Sequence, residues 1–312
     1  MKKVLLLLAA AAITTMVSAQ HFKVVKTQRF DAGSAMYHPV FTPDGKSLLV
    51  SSEDYNGLSV FDMTTKKLTS LTKMAGAGWL PEISADGRTV VCKEMHMESQ
   101  KMSLHSIDLA TKASTMLASR IDHVNNVNLV GNNVTYAPLG QGAVTKQFAS
   151  RRISTKAVAG RTNLNTYVTT EDLKVVVYRN GVRNELKLNT ANGDEDLYCW
   201  VSLSPNGKRI LLVGKRGAFT CNLDGSGLTY LGKVWAPVWC GDEYVVGQND
   251  TSNDGYEISR SDIVVVPSTG GAIQQLTPSN SQLKMFPAVS PDGKHIAYHS
   301  GEGDIYVMTI EK

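Results

Sequence analysis

The chain has 312 residues, of which 42% are apolar and 19% charged. That is the composition of an ordinary globular protein, and it excludes a collagen-like, coiled-coil or largely disordered chain. The net charge is +4, or +2 with Lys2 and Lys3 set aside, too small for the concentrated basic footprint of a nucleic-acid binder.

Met1-Lys2-Lys3 opens an apolar run, residues 4–13, that is too short to span a bilayer. Val17-Ser18-Ala19 then supplies the small residues of a signal-peptidase site. Residues 1–19 are therefore expected to be a signal peptide cleaved near Ala19, leaving Gln20 at the new N-terminus. The mature chain, residues 20–312, is expected to be periplasmic or secreted, not membrane-spanning and monomeric, and to form a single domain, since no linker marks a second one.

A repeated phrase comes next. Pro39-Val40-Phe41-Thr42-Pro43-Asp44-Gly45-Lys46 leads into an apolar strand, and Pro81-Glu82-Ile83-Ser84-Ala85-Asp86-Gly87-Arg88 repeats it. Val201-Ser202-Leu203-Ser204-Pro205-Asn206-Gly207-Lys208 and Pro287-Ala288-Val289-Ser290-Pro291-Asp292-Gly293-Lys294 repeat it again. Each reads as strand, tight turn, strand: proline presets φ, Asp or Asn bonds the local backbone, and glycine accepts positive φ. Asp44 and Asp86 are 42 residues apart, and Asn206 and Asp292 are 86, twice 43. That period is the length of a propeller blade. Weaker copies lie at Pro237-Val238-Trp239-Cys240-Gly241-Asp242 and around Asn126-Val127-Asn128-Leu129.

A second phrase, two strands around a polar turn ending in Leu, follows at residues 58–71, 102–117, 173–186, 217–231 and 262–276. Residues 303–312 hold the first of these strands without its partner, and residues 22–30 supply one. The N-terminal strand is expected to close the ring, which leaves few open sheet edges. The expected fold is all-β: a six-bladed β-propeller of four-stranded blades starting near residues 36, 78, 123, 196, 234 and 284. The third blade then carries an insertion at residues 139–165 between its second and third strands. Seven blades is the alternative, because residues 150–157 resemble 106–113 and residues 167–172 read as a blade start.

The Ser290-Pro291-Asp292-Gly293-Lys294 phrase, with the strand Asp304-Ile305-Tyr306-Val307-Met308, resembles TolB-type, WD-like propeller repeats. The resemblance covers the mature chain. It implies an exported propeller of the Gram-negative cell envelope, of the stand-alone kind, without the separate N-terminal domain of TolB.

In propellers of this type the first strand of each blade lines the channel, so the residues just before each repeat ring one mouth. The expected rim is Tyr37, His38, Trp79, Asn125, Trp200, Trp235 and Phe286. Such rings stack on a sugar face or grip an apolar peptide. Trp239, two positions inside Pro237, is expected in the core between blades.

Oligogalacturonate lyases of this repeat class hold a catalytic metal with several channel histidines. Here His38 and His123 alone start blades, and metal catalysis needs three or more ligands. Asp250, Ser252 and Asp254 with Gly255 match the first half of a calcium loop, but position 12 is Ser261 where a glutamate belongs. No metal or other cofactor is expected otherwise. The insertion carries Lys146, Arg151, Arg152, Lys156 and Arg161 without an acid, a docking strip for an acidic partner or a solvated loop. Cys92, Cys199, Cys221 and Cys240 lack CxxC spacing, leaving open a disulfide between two of the last three or four buried thiols. Gly-x-Ser-x-Gly, His-Glu-x-x-His and phosphate-loop phrases are all missing from the sequence. The expected function is non-catalytic: binding a protein or glycan of the cell envelope through the rim. The alternative is a metal-dependent, lyase-like enzyme acting on carbohydrate.

Overall fold

The computed structural model describes residues 22–131, 133–147, 166–188, 197–280 and 282–312. It is all strand, apart from a single 3-10 turn at Glu53–Tyr55 among these residues. No helix among them is long and apolar enough to cross a membrane. The leader with its Ala19 site lies outside the described residues, as do Arg151, Arg152, Lys156 and Arg161.

The strands form seven antiparallel sheets, not six. Blade 1 runs Tyr37–Phe41, Ser47–Ser51, Leu58–Asp62, Lys67–Thr72, and blade 2 runs Glu82–Ile83, Thr89–His96, Lys101–Asp108, Ser114–Ile121. Blade 3 is Val127–Val130, Asn133–Tyr136, Val144–Gln147, and blade 4 is Thr166–Glu171, Lys174–Arg179, Val182–Glu185. Blade 5 is Cys199–Leu203, Arg209–Gly214, Gly217–Asn222, Thr229–Gly232, and blade 6 is Trp235–Cys240, Tyr244–Ser252, Ile258–Pro267, Gln274–Gln275. Blade 7 takes Lys284–Val289, His295–Ser300 and Ile305–Glu311, with Lys23–Phe30 as its outer strand.

The six-blade expectation fails at the long third blade. Val144–Gln147, inside the expected insertion, pairs with Asn133–Tyr136 and is a blade strand. Thr166–Glu171 then starts a sheet of its own. Neither blade 3 nor blade 4 carries the Pro-Asp-Gly turn, so the two read in sequence as one unit with a gap. Within the described residues these two blades have three strands each and the other five have four.

The core gives the same count independently. Seven clusters of buried apolar side chains each join two consecutive blades. One of them sets Phe30, Ala297 and Ile305 of blade 7 against Met36, Leu48 and Phe61 of blade 1, which completes the circle. Trp239 packs against the cluster between blades 5 and 6. Closure by the N-terminal strand runs from Lys23↔Glu311 to Phe30↔Ile305, with one register shift between Val24 and Lys26. Arg29 adds an exposed ion pair to Asp304 at 2.7 Å.

The repeated turn shows why its residues recur. The Thr42 hydroxyl donates to Asp44 Oδ1 at 2.6 Å, and the Lys46 N–H donates to the same oxygen at 3.0 Å. Gly45 between them sits at φ +69°, open to glycine at no steric cost. Ser84 with Asp86, Ser204 with Asn206, and Ser290 with Asp292 rebuild the same clasp.

Candidate functional site

The first strand of a blade does not run straight into the mouth. Register slips at Tyr37/Val40, Cys199/Ser202, Trp235/Val238 and Met285/Ala288, a bulge in the same place in four blades. At each bulge one non-glycine residue adopts a left-handed backbone: His38 at φ +51°, Trp200 at +47°, Ala236 at +43° and Phe286 at +51°. Leu80 does so in blade 2 at +46°. Bulges re-aim side chains, and left-handed non-glycine residues cluster at functional sites because the conformation is costly.

The consequence is a cluster of rings. His38 stacks on Tyr55 with centroids 3.7 Å apart, and Tyr55 meets Trp79 edge-on at 4.8 Å. His38 also meets Phe286 edge-on at 4.7 Å. Phe286 lies parallel to His299 at 5.4 Å and reaches Trp200 at 6.2 Å. Tyr37 stands edge-on to His299 at 5.1 Å. Blades 1, 2, 5 and 7 thus bring their rings to one place, and apart from buried His299 each ring is half-buried. Gly78 makes the approach of Trp79 possible, because a Cβ there would collide with the Ser51 side chain.

Beneath the rings lie buried polar residues from four second strands: Ser51 of blade 1, Lys93 of blade 2, Gln248 of blade 6 and His299 of blade 7. Three of them, Ser51, Lys93 and Gln248, bond the ring-bearing residues His38, Trp79 and Phe286. Ser51 Oγ lies 2.8 Å from His38 Nδ1 and donates to the Ser52 carbonyl at 2.9 Å, so Nδ1 is the donor of that pair. Lys93 Nζ donates to the Trp79 carbonyl at 3.0 Å, and the Phe286 N–H donates to Gln248 Oε1 at 2.6 Å. His299 Nδ1 donates to the Ser300 carbonyl at 2.7 Å. Burial drives the His38 imidazole down to about 3, with His299 adding to the effect, and drives His299 down to about 4. Both rings are neutral at physiological pH. Burial likewise pushes the Lys93 amine down to about 7 against the pull of Glu82, and the Tyr55 phenol up to about 12.

Of the expected rim, Tyr37, His38, Trp79, Trp200 and Phe286 come together. Trp235 holds the matching place in blade 6, opposite Gln248, but has no ring contact with the cluster among the described residues. Asn125 instead ties blade 3 to blade 4: its Nδ2 donates to the Thr170 carbonyl at 2.9 Å and to Thr170 Oγ1 at 2.7 Å. Asn126 reaches past blade 4 to the Val201 carbonyl of blade 5 at 2.7 Å. His123 is exposed and bonds Asn125, away from His38. Sequence reasoning missed Tyr55, a loop residue, and His299. The readable signal for the polar layer was a polar residue ending an otherwise apolar strand, as in Leu48-Leu49-Val50-Ser51 and Ala297-Tyr298-His299.

The calcium phrase is divided between two tasks. Asp250 faces Gln248, whose Nε2 donates to both carboxylate oxygens at 3.1 and 2.9 Å, and burial pushes the pKa of the Asp250 carboxyl up. Asp254 Oδ1 accepts from Ser252 Oγ and the Tyr256 and Glu257 N–H groups, holding the hairpin tip. Among the described residues no group of three or more His, Cys, Asp or Glu is disposed to hold a metal. All four cysteines are free thiols, three of them buried and Cys199 exposed. Lys146, the described member of the basic strip, donates to the Leu117 carbonyl at 2.8 Å.

No protein-family model matches the sequence, and no curated protein does. A chain from the crystal structure of the mitotic checkpoint complex superposes over 100% of both chains, with a TM-score of 0.63 at 11% identity. The fold is a WD-like β-propeller. At that identity the likeness extends to the architecture, and the chemistry has to be read from the mouth.

Proposed function

We propose that this propeller is a non-catalytic binding protein that grips a protein or glycan partner of the Gram-negative cell envelope with its aromatic mouth. The observation that carries the reading is the convergence of Tyr37, His38, Tyr55, Trp79, Trp200 and Phe286 from separate blades onto one half-buried cluster. Aromatic residues supply large contact area at low conformational cost, and they are over-represented among residues that dominate binding energy. The left-handed bulges beneath them fix the rings before any partner arrives, which is preorganisation. The leader supports export with cleavage near Ala19, and the Ser-Pro-Asp-Gly-Lys turns support kinship with TolB-type repeats.

The test is the double variant Trp79→Ala/Trp200→Ala, passed with the wild type over solubilised envelope proteins and glycans. The variant is expected to lose what the wild type retains while keeping its β-sheet circular dichroism. Equal retention by both would remove the mouth from the reading. Elemental analysis of the untagged protein guards the other side, because a stoichiometric transition metal would favour the carbohydrate enzyme.

A further inference from the structure

The mouth is densely hydrogen-bonded, yet two of its polar atoms have no partner. Trp79 Nε1 and His299 Nε2 are buried and unbonded. Buried polar groups are almost always satisfied, so an orphan calls for an explanation such as a ligand or bound water. The third such atom among the described residues, Trp239 Nε1, lies in the core between blades 5 and 6, away from the mouth.

The two mouth orphans are of opposite kind. An indole N–H can only donate. His299 is 3% exposed, and its Nδ1 carries the proton given to the Ser300 carbonyl. Its Nε2, kept neutral by burial, therefore offers a lone pair. An occupant that satisfies both must bring an acceptor to Trp79 and a donor to His299. An ionised carboxylate has no donor for His299 and would bury its charge among rings, and an ammonium has no acceptor for Trp79. A hydroxyl group is both. A peptide has both groups too, but it brings several N–H and C=O groups, each needing a partner once buried. The first strands that carry these rings each lie at the edge of their sheet, but their bulges break the even hydrogen-bond spacing that an added peptide strand needs.

We infer that the mouth is a subsite for an uncharged oligosaccharide, bound through hydroxyl groups to Trp79 Nε1 and His299 Nε2 and through sugar C–H faces to the surrounding rings. This rests on the binding role proposed above. His38 and Tyr55 stand between the two orphans, so the ligand spans more than one sugar ring. Phe286 lies flat over His299, 10° from parallel, and is the ring that yields as a hydroxyl reaches Nε2.

The experiment uses ¹⁵N-labelled mature protein and follows its four tryptophan indole signals, with Trp79 assigned from Trp79→Phe. The probes are cellopentaose, maltopentaose and chitopentaose, with tetragalacturonate and an apolar proline-rich peptide as controls. A neutral oligosaccharide is expected to move the Trp79 signal saturably at concentrations up to about 10 mM. Trp79→Phe keeps the ring and loses the donor, and should weaken binding about tenfold, while Trp235→Phe leaves it unchanged. No Trp79 shift with any neutral oligosaccharide would overturn the inference. Tighter binding of tetragalacturonate, or a shift with the peptide alone, would also overturn it while leaving the binding role of the mouth standing. Retention of envelope partners by the Trp79→Ala/Trp200→Ala variant would instead defeat the binding role itself.

Discussion

Trp200 of blade 5 and Phe286 of blade 7 lie 6.2 Å apart, ring to ring, past the intervening blade 6. Side chains from non-adjacent blades meet only inside the ring of blades, so the channel is filled at this level by aromatic groups. Phe286 is the centre of that filling, since it also touches His38, Tyr55 and His299.

Removing it should therefore be felt by its neighbours. Phe286→Ala is expected to admit water over His299, relax the desolvation that depresses its pKa, and raise that pKa from about 4 toward the ordinary 6.5. Histidine NMR titration of variant and wild type measures this. An unmoved value would mean that Phe286 is not what shields the ring.

Half-buried His38 and buried His299 also fix the sign of a pH dependence. Their folded values lie below 6.5, so the unfolded chain binds more protons as the pH falls. Stability is expected to be lost from pH 6.5 downward through about 4 for His299 and about 3 for His38, and to be fully present above 6.5. The slope for each is at most about 1.4 kcal/mol per pH unit. Urea unfolding at a series of pH values should show a flatter acid limb in His299→Phe than in the wild type.

Ring closure offers a third measurement. Phe30 is 6% exposed and meets Phe61 of blade 1 edge-on at 5.7 Å. Phe30→Ala leaves a cavity at the closing seam and should cost about 3–5 kcal/mol of stability. Chemical denaturation checks it, and a loss under about 1 kcal/mol would show that the seam collapses to fill the space.

The thiols give a quick readout. Cys92, Cys221 and Cys240 are at most 1% exposed, while Cys199 is accessible at the mouth end of blade 5. Burial raises all three enclosed thiols well above their usual range, Cys92 and Cys221 to about 12. Thiol titration of the native protein should report a single accessible group, and of the unfolded protein four. A count of two after unfolding without reductant would reveal a disulfide.

Much of this architecture could be read from residues whose chemistry is local. The Asp44, Asp86, Asn206 and Asp292 turns announce themselves because a clasp and a glycine must fall at fixed spacing. The terminal strand pairing could be read too, from an unpartnered strand at each end. Blades 3 and 4 hid because their turns, at Gly131 and at Asp172-Leu173, reach positive φ without the Pro-Asp-Gly phrase. The rim positions of Tyr37, His38, Trp79, Trp200 and Phe286 followed from the blade frame. Which of them touch did not, because the bulges that re-aim them are set by backbone register. Tyr55 comes from a loop, and His299 from a strand whose neighbours are apolar, so neither had a pattern to betray it. Asn125 stands apart for a different reason: an amide at a rim position serves equally well to tie one blade to the next.

The pairing of Lys23 with Glu311 joins residues separated by nearly the whole chain. During synthesis Lys23 leaves the ribosome long before Glu311 exists, so the first strand must wait unpaired while the other blades assemble. Contacts of such sequence separation make folding slow and put the closing step last. A chain cut short before residue 305 would keep two open sheet edges, the features that invite aggregation and proteolysis. The seam therefore acts as a checkpoint: only a product that extends through Ile305–Glu311 closes the ring.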